Sequence, residues 1–204
     1  MVTQTLSKTL TFAEFIDWKP EGNHHELHQG IVVEMNPPLG EHEKIICFLN
    51  TIIAAEFFHL NLAYGISKTV LVKPLESESA YSPDILVLNL GNLDNEPLWE
   101  KMSTVSQGTS IPLIVEVVST NWKVDYETKV NDYELIGVTE YWIVDYLGLG
   151  GKRFIGHPKQ PTISIYYLSD GEYLVNQFQG DERIVSPTFP ELNLTARQIF
   201  TTRR

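Results

Sequence analysis

Apolar positions along this chain recur at more than one spacing, and each spacing predicts a different element. From His42 to about Leu60, the residues Ile45, Leu49, Ile52, Ile53 and Phe57 fall at helical intervals and predict an amphipathic helix long enough to cover a sheet. The stretches ISKTVLVKP, PDILVLNL and IPLIVEVVS predict strands. The last two are near-continuous apolar runs, the pattern of strands covered on both faces, and EYWIVDY is another. Alternation from Ile31 to Met35 predicts a strand ended by NPPLG, and TISIYYLSDGEYLVNQF predicts a hairpin turning at SDG.

Helix signals complete the order. Thr11 followed by Glu14 is a capping-box pattern that predicts a short helix from Phe12 to about Trp18. VDYETKVNDYELIGV predicts a helix from about Asp125 to Ile136, stopped by Gly137, and a last short helix is expected near Thr195 to Phe200. The segment from Gly91 to Ser110 is polar, with the composition of a mobile linker, and GLGG reads as a turn. Together these elements predict an α/β fold, a mixed central sheet flanked by helices with an additional C-terminal β-hairpin. At 204 residues, one domain over 1–204 is expected, its core spanning about 10–200.

Composition narrows the setting. Hydrophobic residues make up 43% and charged ones 20%, a globular balance, and no apolar run is long enough to span a bilayer. The first residues carry Glu14 and Asp17 where a secretory leader would be basic and then apolar, and the single cysteine excludes an intrachain disulfide, so a cytoplasmic protein is expected. Cys47, among Ile45, Ile46 and Phe48, is expected to be a buried packing thiol. A formal net charge of -11 opposes strong, sequence-independent binding to a polyanion. Lys152, Arg153 and Lys159 supply one small basic patch, and Arg203 with Arg204 another.

Against this background some charged residues stand out. Glu116 interrupts an apolar strand, where an unpaired carboxylate costs several kcal/mol or is forced to protonate, so a cation is expected beside it. Asp84 opens the preceding strand after Pro83. Lys129 falls on the same side of its helix as Tyr126, Val130, Tyr133 and Ile136, facing the sheet. Each has a plain structural explanation: a turn aspartate, a buried ion pair, a lysine stem snorkelling to solvent. Taken together, two carboxylates and an ammonium around one point suit Mg²⁺ or Mn²⁺, which bind few carboxylates and leave room for a phosphate oxygen. That chemistry is metal-assisted phosphodiester hydrolysis.

SPDILVLN, PLIVEVVST, DYETKVNDYELIGVTEYWIVDY and the upstream HELHQGIVVEMNPP with His42 resemble the Uma-type restriction endonuclease family of the PD-(D/E)XK nuclease superfamily, long labelled a domain of unknown function. The likeness covers roughly residues 10 to 200, and it implies a restriction-endonuclease-like fold with a nuclease-like core at about 42–146. It implies that Asp84 and Glu116 are the metal pair, with the carbonyl of Val117 as a further ligand. It also makes Glu26 a third acidic site residue, matching an acid placed before the first strand. The strand lysine of the superfamily is absent, because Val118 stands in its place, and Lys129 is the implied substitute.

His24, His25 and His28 lack the spacing of a zinc site and are expected to form a loop cluster. Asp125 is expected to cap the helix or pair with Lys129. The leading expectation is a metal-dependent nuclease whose nucleic acid is bound weakly outside the site. The alternative is a catalytically inactive nuclease fold acting as a binding or assembly module. Tyr166, Tyr167, Tyr173 and Phe178 on the hairpin suggest a homodimer seam.

Overall fold

In a computed structural model describing residues 5–20, 24–35 and 39–202, the apolar runs around Leu86, Val115 and Ile143 become neighbouring strands. The chain runs through β1 (Thr5–Thr9), α1 (Phe12–Trp18), β2 (His25–His28), β3 (Ile31–Glu34), α2 (Gly40–His59), β4 (Tyr64–Ser67) and β5 (Leu71–Val72). It continues through β6 (Ile85–Asn89), α3 (Trp99–Met102), β7 (Thr104–Val105) and β8 (Leu113–Val117). A π-helical stretch (Val124–Lys129) then leads into α4 (Val130–Ile136). After it come β9 (Glu140–Asp145), α5 (Lys152–Ile155), the hairpin β10 (Thr162–Ser169) and β11 (Glu172–Phe178), and α6 (Ala196–Phe200).

The main sheet has the order β11-β10-β9-β8-β6-β4. It is mixed: β8 and β9 are parallel, with Glu116 opposite Ile143, and the other pairs are antiparallel. Parallel neighbours need a crossover, and the segment from Val124 to Ile136 supplies it, crossing one face of the sheet. Gly137 ends the helix at φ 82, and the backbone there packs so closely on Gly108 that a Cβ on Gly108 would lie 1.9 Å from the Gly137 carbonyl oxygen.

Strand alternation divides the core. Ile85, Val87, Leu113, Val115, Trp142 and Val144 pack under α2, α6 and the segment around Phe189. Leu86, Leu88, Ile114, Val118, Tyr141 and Ile143 face the opposite way, toward Tyr126, Tyr133 and Ile136 of the crossover. Glu116, two positions from both Ile114 and Val118, points to this second side. Cover on both faces is why these strands read as unbroken apolar runs.

A smaller sheet, β1-β3-β2, packs with α1 around Leu10, Phe15, Leu27 and Val32. It is tied to the rest through Leu27, which exchanges backbone hydrogen bonds with Ala80 at 2.9 and 2.8 Å.

Several expectations need correction. The segment 91–110 is no mobile linker: it holds 3₁₀ turns, α3 and β7, and β7 pairs in parallel with β5. Lys73 N to Val105 O and Leu71 N to Ser103 O tie it down, contacts too distant in sequence for composition to reveal. ISKTVLVKP is not one strand but β4 and β5, in different sheets, with Lys68 and Thr69 exposed between them. Cys47 is exposed: it lies on the outer face of α2, while Ile45, Ile46 and Leu49 turn inward. The histidines around Glu26 are not a loop cluster, since His25 and His28 belong to β2. α5 arises where only a turn was expected. Pro37, Pro38, Arg203 and Arg204 lie outside the described residues.

Candidate active site

At the C-terminal end of β8 the structure gathers residues from distant parts of the chain. Asp84 immediately precedes β6, antiparallel to β8 with Ile85 opposite Val115, and its Oδ2 accepts a hydrogen bond from Val117 N at 2.8 Å. Glu116 projects toward the crossover, where Lys129 closes the π-helical stretch. Wider winding of this kind often marks functional positions. It leaves both Lys129 and Tyr126 buried against the sheet. Lys129 Nζ donates to Glu116 Oε1 at 2.8 Å and to Glu26 Oε1 at 3.2 Å, and lies 3.9 Å from Asp125 Oδ1.

Glu26 arrives through the smaller sheet. Alternation sends Leu27 into the apolar cluster and Glu26 with His28 to the other side, while the Leu27–Ala80 pairing sets β2 beside the chain leading to Asp84. Glu26 Oε1 accepts from Ser82 N at 2.9 Å, and its Oε2 lies 2.8 Å from His28 Nε2. Glu26, Glu116 and Lys129 are all at most 5% exposed. The structure thus brings together Asp84, Glu116, Val117, Lys129 and Glu26.

Electrostatics in this cluster are unbalanced. Burial works against ionising Glu26, but Lys129, His28 and the Ser82 amide hold its carboxyl down at about 2. Burial would lower Lys129, yet Glu116, Glu26 and Asp125 keep it well above an ordinary lysine. Glu116 is pushed well up by burial, with Asp84, Asp125 and Glu26 adding to the effect against Lys129. Asp125 rises to about 7, again through burial first, with Asp84 and Glu26 contributing. One ammonium does not neutralise this many carboxylates in a dry environment.

An excess of hard oxygen donors over cations is the donor chemistry that Mg²⁺ and Mn²⁺ take. Among the described residues, no group of three or more His, Cys, Asp or Glu side chains is already drawn together as a metal cage. The carboxylates turn instead to Lys129 and to the Val117 and Ser82 amides. Asp84 and Glu116 are the carboxylates that could hold a metal, and the Val117 carbonyl, next in the chain after Glu116, accepts from His42.

A family model matches residues 12–197, that of Uma2, described as "Putative restriction endonuclease". The chain belongs to this family. Among solved structures it is similar to one titled as a "putative nuclease belonging to DUF820" from Anabaena variabilis ATCC 29413. The TM-score is 0.72 at 16% identity, over 95% of this chain and 98% of that one, a likeness of fold. No curated protein matches the chain. The mixed sheet flanked by helices is the architecture the hydrophobic pattern predicts. No helix among the described residues is long and apolar enough to cross a membrane.

Against this Uma2 framework, the pattern of residues alone gave no role to His42. It lies in the first turns of α2 on the buried face, with Nε2 2.8 Å from the Val117 carbonyl oxygen and 3.4 Å from Asp84 Oδ2. Burial opposes its protonation, but its hydrogen bond to Asp84 raises its pKa overall. The available signal was a histidine three and seven positions before Ile45 and Leu49, on the apolar stripe of a helix. Tyr133 was placed on the apolar face, yet its hydroxyl also reaches Glu116 Oε1, at 3.4 Å. Asp125 faces Lys129, one of its two expected roles, and the helix it was expected to cap begins without a side-chain cap.

Proposed function

We propose that this chain is a metal-dependent endonuclease hydrolysing phosphodiester bonds of nucleic acid, with Asp84, Glu116 and the Val117 carbonyl holding Mg²⁺ or Mn²⁺. The observation carrying this reading is the surplus of carboxylates around the buried Lys129 ammonium. When bound, the metal supplies Lewis acidity toward a phosphate oxygen and the attacking water.

The chain's own residues prepare the rest. The Val117 amide restricts rotation of the Asp84 carboxylate by holding Oδ2. Lys129 is aimed into the site by Glu116 and Glu26, and its ammonium stabilises the negative charge that builds on the phosphate as water attacks. Glu26 acts through that lysine as a positioning residue, itself fixed by Ser82 N and His28. In the reaction the water oxygen bonds to phosphorus and the bond to one sugar oxygen breaks. A proton leaves the water, and the departing sugar oxygen takes one up.

A catalytically inactive nuclease fold, serving as a binding or assembly module, would suit a lysine turned away from the carboxylates. Lys129 Nζ stands 2.8 Å from Glu116, which favours the active reading. The test offers duplex DNA, single-stranded DNA and RNA with either metal, beside calorimetry with Mn²⁺. Cleavage of at least one substrate, lost in Asp84→Asn and Glu116→Gln, is expected. No cleavage of any substrate, together with no Mn²⁺ binding, would overturn the proposal.

A cytoplasmic setting and a homodimer belong to the same proposal. Of the aromatic residues expected at the seam, Phe178 is buried in the core and Tyr166 and Tyr173 pack inward on the crossover side, so the dimer rests instead on Leu174 and Val175, exposed on the outer strand β11. A monomer mass by light scattering at micromolar concentration would overturn the dimer.

A further inference from the structure

Directly beside the site the chain carries an aromatic cluster dressed with positive charge. Trp122 and Phe154 are half-buried with ring centroids 6.1 Å apart, and Tyr126 stacks on Phe154 at 4.9 Å. Lys123 Nζ lies 5.9 Å and Lys159 Nζ 6.0 Å from the centre of the Trp122 ring, and Arg153 sits 4.5 Å from that of Phe154. Lys123, Lys152, Arg153 and Lys159 are all exposed. Glu127 offsets Arg153 through an ion pair, and Lys159 Nζ also donates to the Leu149 carbonyl at 3.0 Å. In a chain of net charge -11, these lysines make a local positive island.

We infer that this island is a docking platform for an unpaired stretch of nucleic acid next to the scissile position, with bases stacking on Trp122 and phosphates meeting Lys123, Lys152 and Lys159. The inference rests on the nuclease reading for its purpose, but the surface stands on its own geometry.

Several observations support this occupant. Platform and site share one π-helical turn: Asp125 faces Lys129 while the next residue, Tyr126, stacks in the aromatic cluster. A nucleotide beside the site therefore lies within reach of the rings. Trp122 is also held in place, because a Cβ on Gly151 would approach its ring to 3.0 Å, so little side-chain freedom is lost on stacking. A flat aromatic face flanked by cations binds single strands with little sequence preference, since every base offers a π-face. Duplex DNA hides its base faces from these rings, so this surface would offer it mainly phosphate contacts, which the acidic remainder of the surface opposes.

The test measures anisotropy of labelled single-stranded and duplex oligonucleotides with the Asp84→Asn protein in EDTA, where cleavage cannot interfere. Single strands are expected to bind more tightly than duplex, with a log–log salt slope of about -2 for roughly three neutralised phosphates. Trp122→Ala is expected to weaken single-strand binding roughly tenfold, as for the loss of one stacked base. The surface variant Lys123→Glu/Lys159→Glu is expected to weaken it at least as much, and Trp122→Phe to retain most of it. Unchanged affinity in the variants, duplex preferred over single strand, or no binding of either would overturn the platform. Cleavage by the native protein is scored separately. Failure of the nuclease reading would appear as binding without cleavage, and failure of the platform as cleavage without dependence on Trp122.

Discussion

Two adjacent parallel strands of the main sheet bury acids among apolar residues, and the surroundings of Glu140 in one and Glu116 in the other could hardly differ more. Glu140 opens β9, and among the described residues its partners are neutral donors: Trp142 Nε1 at 2.5 Å, Ser186 Oγ at 3.0 Å and Thr188 N at 2.8 Å. Those bonds clamp the segment before Phe189 onto the sheet, a structural use of a buried carboxylate. Glu116 in β8 has the Lys129 ammonium and a distant tyrosine hydroxyl, with Glu26, Asp84 and Asp125 nearby. Burial alone therefore does not mark a functional acid. What separates the two is whether donors outnumber acceptors or the reverse.

The largest effect expected from breaking this contrast comes from Lys129→Met. Removing the ammonium leaves buried carboxylates facing one another, at a cost of about 3–5 kcal/mol, with cleavage lost as well. An unchanged urea midpoint would show that the lysine does not hold the acids together. Glu116→Gln is expected next, lowering cleavage roughly 10²- to 10³-fold while leaving thermal stability equal or higher, because it relieves the carboxylate surplus. Melting and turnover measured on the same preparation decide this.

Glu140→Ala should do the converse. It strands the Trp142, Ser186 and Thr188 donors and costs about 2–4 kcal/mol, with turnover per folded molecule unchanged. If it abolished cleavage while folding normally, the contrast between the two acids would fail. The smallest effect is that of added metal: at ten times its Kd, Mn²⁺ should stabilise the native protein by about 1.4 kcal/mol and the Glu116→Gln protein by less. Equal stabilisation of both would point to another site.

Much of this was legible in order along the chain. The runs around Leu86, Val115 and Ile143 announced strands covered on both faces, and Lys129 announced itself by its place on an apolar helix face. Glu116 drew notice as an acid in an apolar strand, but by that criterion Glu140 was equally eligible, and nothing local tells them apart. His42 was hidden for the opposite reason, since one histidine on a helix stripe has many ordinary explanations. The order in residues 91–110 was illegible because it depends on backbone pairing with β5, some 30 residues away by sequence.

The amino-acid sequence by itself therefore determined the periodicities, hence the buried elements, and the presence of an Asp, a Glu and a Lys in segments where burial makes charge costly. These are local properties, set by spacing along the chain. The family likeness named Glu26 as well, but only the tertiary structure decided that it meets Lys129, that His42 meets the Val117 carbonyl, and that Lys129 serves several acids at once. Charge balance in a buried cluster is a sum over neighbours in space, and those neighbours come from β2, α2, β8 and the crossover, brought together by folding alone.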